Sequence, residues 1–110
     1  MLLKKIKDEL KNKSSEERKK INERFFKTGK GEYGEGDVFI GVRVPDIRKI
    51  AKQFFNLPFS ELEKLISSKI HEERLLAVII LTENFRKTNN LKEKKKIFQF
   101  FKKNLKFVNN

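Results

Sequence analysis

An all-α protein built of antiparallel helix pairs is the fold class that this 110-residue sequence predicts. Three observations carry that expectation. Apolar residues recur at i, i+3, i+4 and i+7 in segment after segment. Serine-to-glutamate capping patterns and Pro or Gly breaks separate those segments. No stretch alternates apolar and polar residues convincingly; Val38 to Val44 is short and interrupted by Gly41. The count is six to seven helices with short connections. No clear internal repeat is present, so a small bundle and an α-solenoid both remain open.

Leu3, Ile6 and Leu10 form one face of a first helix. Ser14 followed by Glu17 reads as a capping box opening a second helix through about Lys27, with Ile21, Phe25 and Phe26 as its apolar face. Thr28-Gly29 ends it, glycine being the usual left-handed residue there. A glycine-studded loop over 28–43 follows and holds all five glycines of the chain between Gly29 and Gly41. Pro45 sits in the first turn of a third helix, where proline is welcome, and Asp46 favours the positive end of its dipole. Ile47, Ile50, Ala51, Phe54 and Phe55 make its buried stripe, with Arg48, Lys49 and Lys52 off that stripe. Asn56 to Pro58 breaks the helix. Ser60 with Glu63 predicts a cap for a short helix to about Ser68 carrying Leu62, Leu65 and Ile66. The stretch from His71 or Glu72 to about Lys87 is apolar nearly all round in its middle and reads as a central helix. After a turn at Thr88 to Asn90, Leu91 to about Asn104 is the last helix, presenting Ile97, Phe98, Phe101 and Leu105.

The length suits one domain over 1–110. Cysteine is absent, which excludes disulfides and thiolate metal sites and fits a cytoplasmic location. The charged, interrupted start is no signal peptide, and the longest apolar run, Leu75 to Leu81, is far short of the ~20 residues of a membrane span. Net charge is +12, carried by residues 1–30 and 71–110 at +6 each, while 31–70 balances. A folded domain this basic suits a polyanion, although lysines also simply solvate helix surfaces.

Several motifs are traps. Gly29-Lys30-Gly31-Glu32-Tyr33-Gly34 is a literal G-x-G-x-x-G, but a helix precedes it and no buried strand is near, so it is no dinucleotide site. Glu32, Glu35 and Asp37 lack the spacing of a calcium loop and read as solvated, or paired with Lys27, Lys30 or Arg43. His71, the lone histidine, cannot build a typical zinc site and reads as a cap or surface residue. Tyr33 reads as a packing lid, with base stacking as the alternative. The Phe-bearing side of the basic stretch 92–106 reads as core rather than a membrane face. The stronger candidates are the cations around the loop: Lys27, Lys30, Arg43, Arg48, Lys49 and Lys52. Several cations near one helix N-terminus suit phosphate oxygens, and a solvated helix face is the competing reading.

The run FFKTGKGEYGEGDVFIGVRVPDIRKIAKQF resembles the N-terminal region of the DNA alkylation repair family of AlkD-type glycosylases. His71-Glu72-Glu73-Arg74-Leu75-Leu76-Ala77-Val78 and Leu105-Lys106-Phe107-Val108-Asn109-Asn110 agree with it, so the resemblance covers essentially the whole chain. It implies a curved stack of HEAT-like helical pairs, a solenoid whose basic face cradles duplex DNA. It implies hydrolysis of the N-glycosidic bond of N3- or N7-alkylated purines, with no metal and no organic cofactor, and without flipping the base into a pocket. The family's catalytic aspartate lies in a Trp-Asp-x-x-Asp-like segment that would follow the position of Asn110. This chain has no Trp, and its aspartates, Asp8, Asp37 and Asp46, stand in no such segment.

No catalytic residue therefore carries over. The expectation is a non-catalytic, DNA-binding N-terminal part of such a glycosylase, contacting alkylated duplex DNA through the cations above. A solenoid part of this kind would expose an apolar end and self-associate through its C-terminal helix. The alternative is a helical-repeat scaffold that binds an acidic protein partner.

Overall fold

A computed structural model describes residues 2–26, 28–31 and 35–108. Those residues form six α-helices and no strand: α1 (Leu2–Asn12), α2 (Glu16–Phe25), α3 (Val44–Gln53), α4 (Phe59–Ile66), α5 (His71–Lys87) and α6 (Leu91–Lys103), followed by a 3₁₀ turn at Leu105–Phe107. The only extended pairing among them is an isolated parallel bridge between Val38 and Ile70. The architecture is all-α, as the periodicity predicts, and is compatible with the helical-repeat solenoid that the resemblance implies.

The central element is α5, which packs against α3, α4 and α6, while α1 lies on α3. Leu76, Ala77 and Ile80 on α5 are wholly buried, as are Leu65 and Ile66 on α4 and Ile6 and Leu10 on α1. They join one contiguous apolar cluster. α3 and α5 run in the same direction. The start of α5 is tied to the loop before α3 by the His71 amide donating to the Val38 carbonyl at 2.8 Å. Near its other end, Asn84 Nδ2 donates to the carbonyl of Phe55, just after α3, at 2.7 Å. α4 connects the two, as a right-sized return helix in a repeat must. Among the described residues no helix is long and apolar enough to cross a membrane.

Four sequence expectations need correction. α2 is capped by Ser15, whose Oγ accepts from the Arg18 amide at 3.3 Å; Ser14 instead donates to the Lys11 carbonyl and closes α1. α2 buries no residue, and Phe25 is 77% exposed, because α2 is held at its ends rather than along an apolar face. The α2 end is made by Thr28, whose amide and hydroxyl both donate to the Glu23 carbonyl; Gly29 is not left-handed, whereas Gly31, Gly36 and Gly41 are. Lys27 lies outside the described residues. α4 begins one residue before Ser60, with Pro58 as its N-cap, so Ser60 lies inside the first turn and cannot cap it.

Two apolar faces also differ. α3 stops at Gln53, so Phe55 leaves the helical register and is 53% exposed, while Ile47, Ile50, Ala51 and Phe54 are buried. On α6, Ile97 is buried but Phe98 is 57% exposed, and Leu105 falls in the 3₁₀ turn and is 51% exposed. Phe100 packs instead, stacked on Phe59 of α4 with centroids 4.9 Å apart.

Truncating Ile80 to alanine leaves a cavity in the fully buried centre and costs about 2–5 kcal/mol. Phe98→Ala costs within about 0.5 kcal/mol. Urea unfolding followed by circular dichroism measures both; equal losses for the two variants would contradict this placement of the core.

Candidate functional site

The first turn of α5, His71-Glu72-Glu73-Arg74, grips the loop that precedes α3. Glu72 is 1% exposed. Its Oε1 accepts the Ile40 amide at 3.1 Å, and its Oε2 accepts the Gly41 and Val42 amides at 2.8 and 3.1 Å. A buried carboxylate is costly unless it is hydrogen-bonded, and three amide donors at the positive end of a helix dipole meet that cost. In return, three loop amides that no strand partner could satisfy are paired.

Asp37 is the second anchor. Its carboxylate, 3% exposed, meets His71 Nδ1 at 2.9 Å and Arg74 at 2.7 Å. The Arg74 guanidinium also donates to the Ser68 and Lys69 carbonyls. The His71 ring stacks on Phe39 at 4.4 Å, and Phe39 stacks on Phe26 at 5.1 Å. His71 is thus a packed ring and not a surface cap, and Asp37 pairs with α5 rather than with Lys30 or Arg43. Glu35 accepts from the Gly31 amide within the loop. Glu32 and Tyr33 lie outside the described residues.

The same loop fastens α2. The Ser15 amide donates to the Gly41 carbonyl at 2.9 Å. Gly41 adopts φ +82°, and a Cβ there would stand 2.0 Å from the Ser15 carbonyl oxygen and 2.7 Å from the Lys19 nitrogen. Only glycine permits both that conformation and that approach. α2 consequently lies across the loop and leaves a cleft against the starts of α3 and α5. Arg18, Asn22, Phe26, Arg43, Pro45 and Leu75 wall it, over Phe39, Val42 and Glu72.

Among the described candidate cations, Arg43 alone lines this cleft. It is the N-cap of α3. Arg48, Lys49 and Lys52 are exposed on α3, and Lys30 is exposed in the loop. Arg48 and Lys52, four residues apart, share one face, and Lys49 is turned away from Arg48. Arg48 also reaches the field of α5: the Glu83 carboxyl is held below its usual range first by its hydrogen bond to Arg86, with Arg48 adding to that effect. Among the described residues none of Lys30, Arg43, Arg48, Lys49 and Lys52 forms an ion pair.

Sequence reasoning missed Glu72 and Arg18. A glutamate in a helix's first turn looks like ordinary dipole compensation, and only the apolar run that follows hinted that this turn is buried. Arg18 looked like one of many cations on a solvated helix. Chemically the arrangement suits binding. Asp37 and Glu72 are committed to partners, which leaves neither free to accept a substrate proton. Among the described residues no group of His, Asp and Glu could hold a metal ion.

A family model described as DNA alkylation repair enzyme matches residues 6–110. No curated protein and no solved structure matches the chain.

Glu72→Ala strips two buried amides and one part-buried amide of their acceptor and lowers stability by at least about 2 kcal/mol, at about 1–3 kcal/mol for each buried unsatisfied group. Gly41→Ala destabilises as well, through the clash with Ser15. Asp8→Ala on the exposed α1 surface stays within about 0.5 kcal/mol. Chemical denaturation checks all three, and wild-type stability in the Glu72 variant would refute the clamp.

Proposed function

The chain belongs to the DNA alkylation repair enzyme family, and on that premise we propose that it binds alkylated duplex DNA through the cations around the glycine loop. The contacts are Lys27, Lys30, Arg43, Arg48, Lys49 and Lys52. The observation that carries this reading is that Lys30 and Arg43 flank a loop held rigidly by α5 and Arg48, Lys49 and Lys52 follow it on α3, while Asp37, Glu35 and Glu72 are consumed internally. Lys30, Arg43, Arg48, Lys49 and Lys52 are exposed and form no ion pair among the described residues, which leaves them available to phosphate oxygens. Such contacts position a protein on a duplex without reading its sequence.

The family reaction, hydrolysis of the N-glycosidic bond of N3- or N7-alkylated purines, needs a residue that stabilises the developing sugar cation. In this chain Asp37 is locked to His71 and Arg74, and we assign no catalytic residue. The proposed role is to hold DNA as one domain over 1–110, the N-terminal part of a glycosylase, without excising the base on its own and without metal or cofactor. A second reading is supported by the lysine-rich α6, whose Lys94 lies over the Phe85 ring beside an apolar groove formed by Leu81, Phe85, Ile97, Phe98 and Phe101. That face suits an acidic protein partner, or self-association of this chain.

Fluorescence anisotropy with unmodified and alkylated duplexes tests the first reading. Affinity falls steeply with salt, because each neutralised phosphate contributes a log–log slope of about −0.9. Reversing Arg43, Arg48, Lys49 and Lys52 to glutamate abolishes binding, and no alkylated base is released. Salt-independent affinity, or unchanged binding by the reversed variant, would overturn it.

A further inference from the structure

Two arginines meet in one place without a partner. Arg18, in the first turn of α2, and Arg43, at the start of α3, line the cleft together. Both also line the polar hollow next to it, with Lys13, Ser15 and Gly41. They are neighbours because the Ser15 amide is bonded to the Gly41 carbonyl and no side chain at position 41 holds α2 away. Neither forms an ion pair among the described residues. Glu17 and Asp46 border the hollow but pair with neither. Arg18 Nε is closed off from solvent and has no hydrogen-bond partner. A closed-off N–H of this kind is unusual, because buried polar groups are nearly always satisfied. The planar fork of a guanidinium matches two oxygens of a phosphate.

We propose that Arg18 and Arg43 together hold one backbone phosphate of the duplex through their guanidinium groups. Arg18 thereby joins the interface, although charge pattern alone did not single it out. The proposal rests on the DNA-binding reading above. It adds that α2 contributes to the interface, and that the junction of α2 with the glycine loop fixes where one phosphate sits.

The test measures duplex affinity across a salt series for wild type, Arg18→Gln, Arg43→Gln, the double variant, Arg48→Gln and Arg18→Lys, each checked for folding by circular dichroism. Arg18→Gln and Arg43→Gln each weaken binding several-fold and flatten the salt slope. The double variant falls no further than the weaker single one, since both groups serve one phosphate. Arg18→Lys keeps the slope but stays weaker than wild type, because an ammonium does not reproduce the fork; it decides the question if Arg18→Gln does not fold. In the wild type, the Arg18 Nε–H NMR signal moves on adding duplex. Wild-type affinity in Arg18→Gln and Arg18→Lys, with Arg48→Gln weakened, overturns this subsite and leaves DNA binding intact. Additive losses in the double variant overturn the shared phosphate. A full signal shift with inorganic phosphate alone, and none further with duplex, assigns the place to a free anion and overturns the DNA contact. A wild type that binds no duplex at low salt overturns the functional reading and the subsite with it.

Discussion

The Glu72 carboxylate, buried at the start of α5 and bonded to three consecutive loop amides, is the constraint on which the rest of the structure depends. Without it, the segment 40–42 would carry unsatisfied amides into the interior beneath α2. With it, the loop has one conformation, and Gly41 offers its carbonyl to Ser15. That bond locates the start of α2. The residues that follow Val42 then enter α3 with Arg43 at its head. Asp37, bridging His71 and Arg74, fixes the other end of the same loop. One helix turn therefore sets the relative positions of α2, α3 and α5, and a core of ordinary aliphatic packing stiffens what that turn arranges.

The charge distribution follows from this division of labour. The buried acids Asp37 and Glu72 are spent on internal partners, whereas the loop and α3 leave their cations to solvent. A net charge of +12 carries self-repulsion and suits a polyanion. The rigid scaffold with a functional loop is the usual division between elements that provide stability and segments that provide contacts. Membership of the DNA alkylation repair enzyme family suggests DNA as that polyanion.

Period-based reasoning read most of the helices correctly, because burial against α5 imposes a repeating apolar face. The helix His71–Lys87 was readable to within about a residue at its ends, and Ile47, Ile50, Ala51 and Phe54 were readable as core. What failed was local chemistry decided by distant residues. Ser14 and Ser15 are equivalent candidates for a cap until the Gly41 carbonyl selects Ser15. Phe25 has the right spacing for a core face, yet α2 has no helix to bury it against. The candidate site was readable as a place, through its glycines and cations, but not as a mechanism of assembly. Glu72 and Asp37 act over more than thirty residues of sequence, and a single sequence does not display which loop amides lack partners.

Hydrogen exchange at the amides of Ile40, Gly41 and Val42 tests the central claim most directly. If the Glu72 carboxylate holds them, they exchange as slowly as the core amides of α5, and Glu72→Gln accelerates these three selectively while Leu76 and Ile80 stay protected. Exchange in the wild type as fast as that of exposed loop amides such as Gly36 would contradict the clamp, and with it the account of how the loop and its cations are positioned.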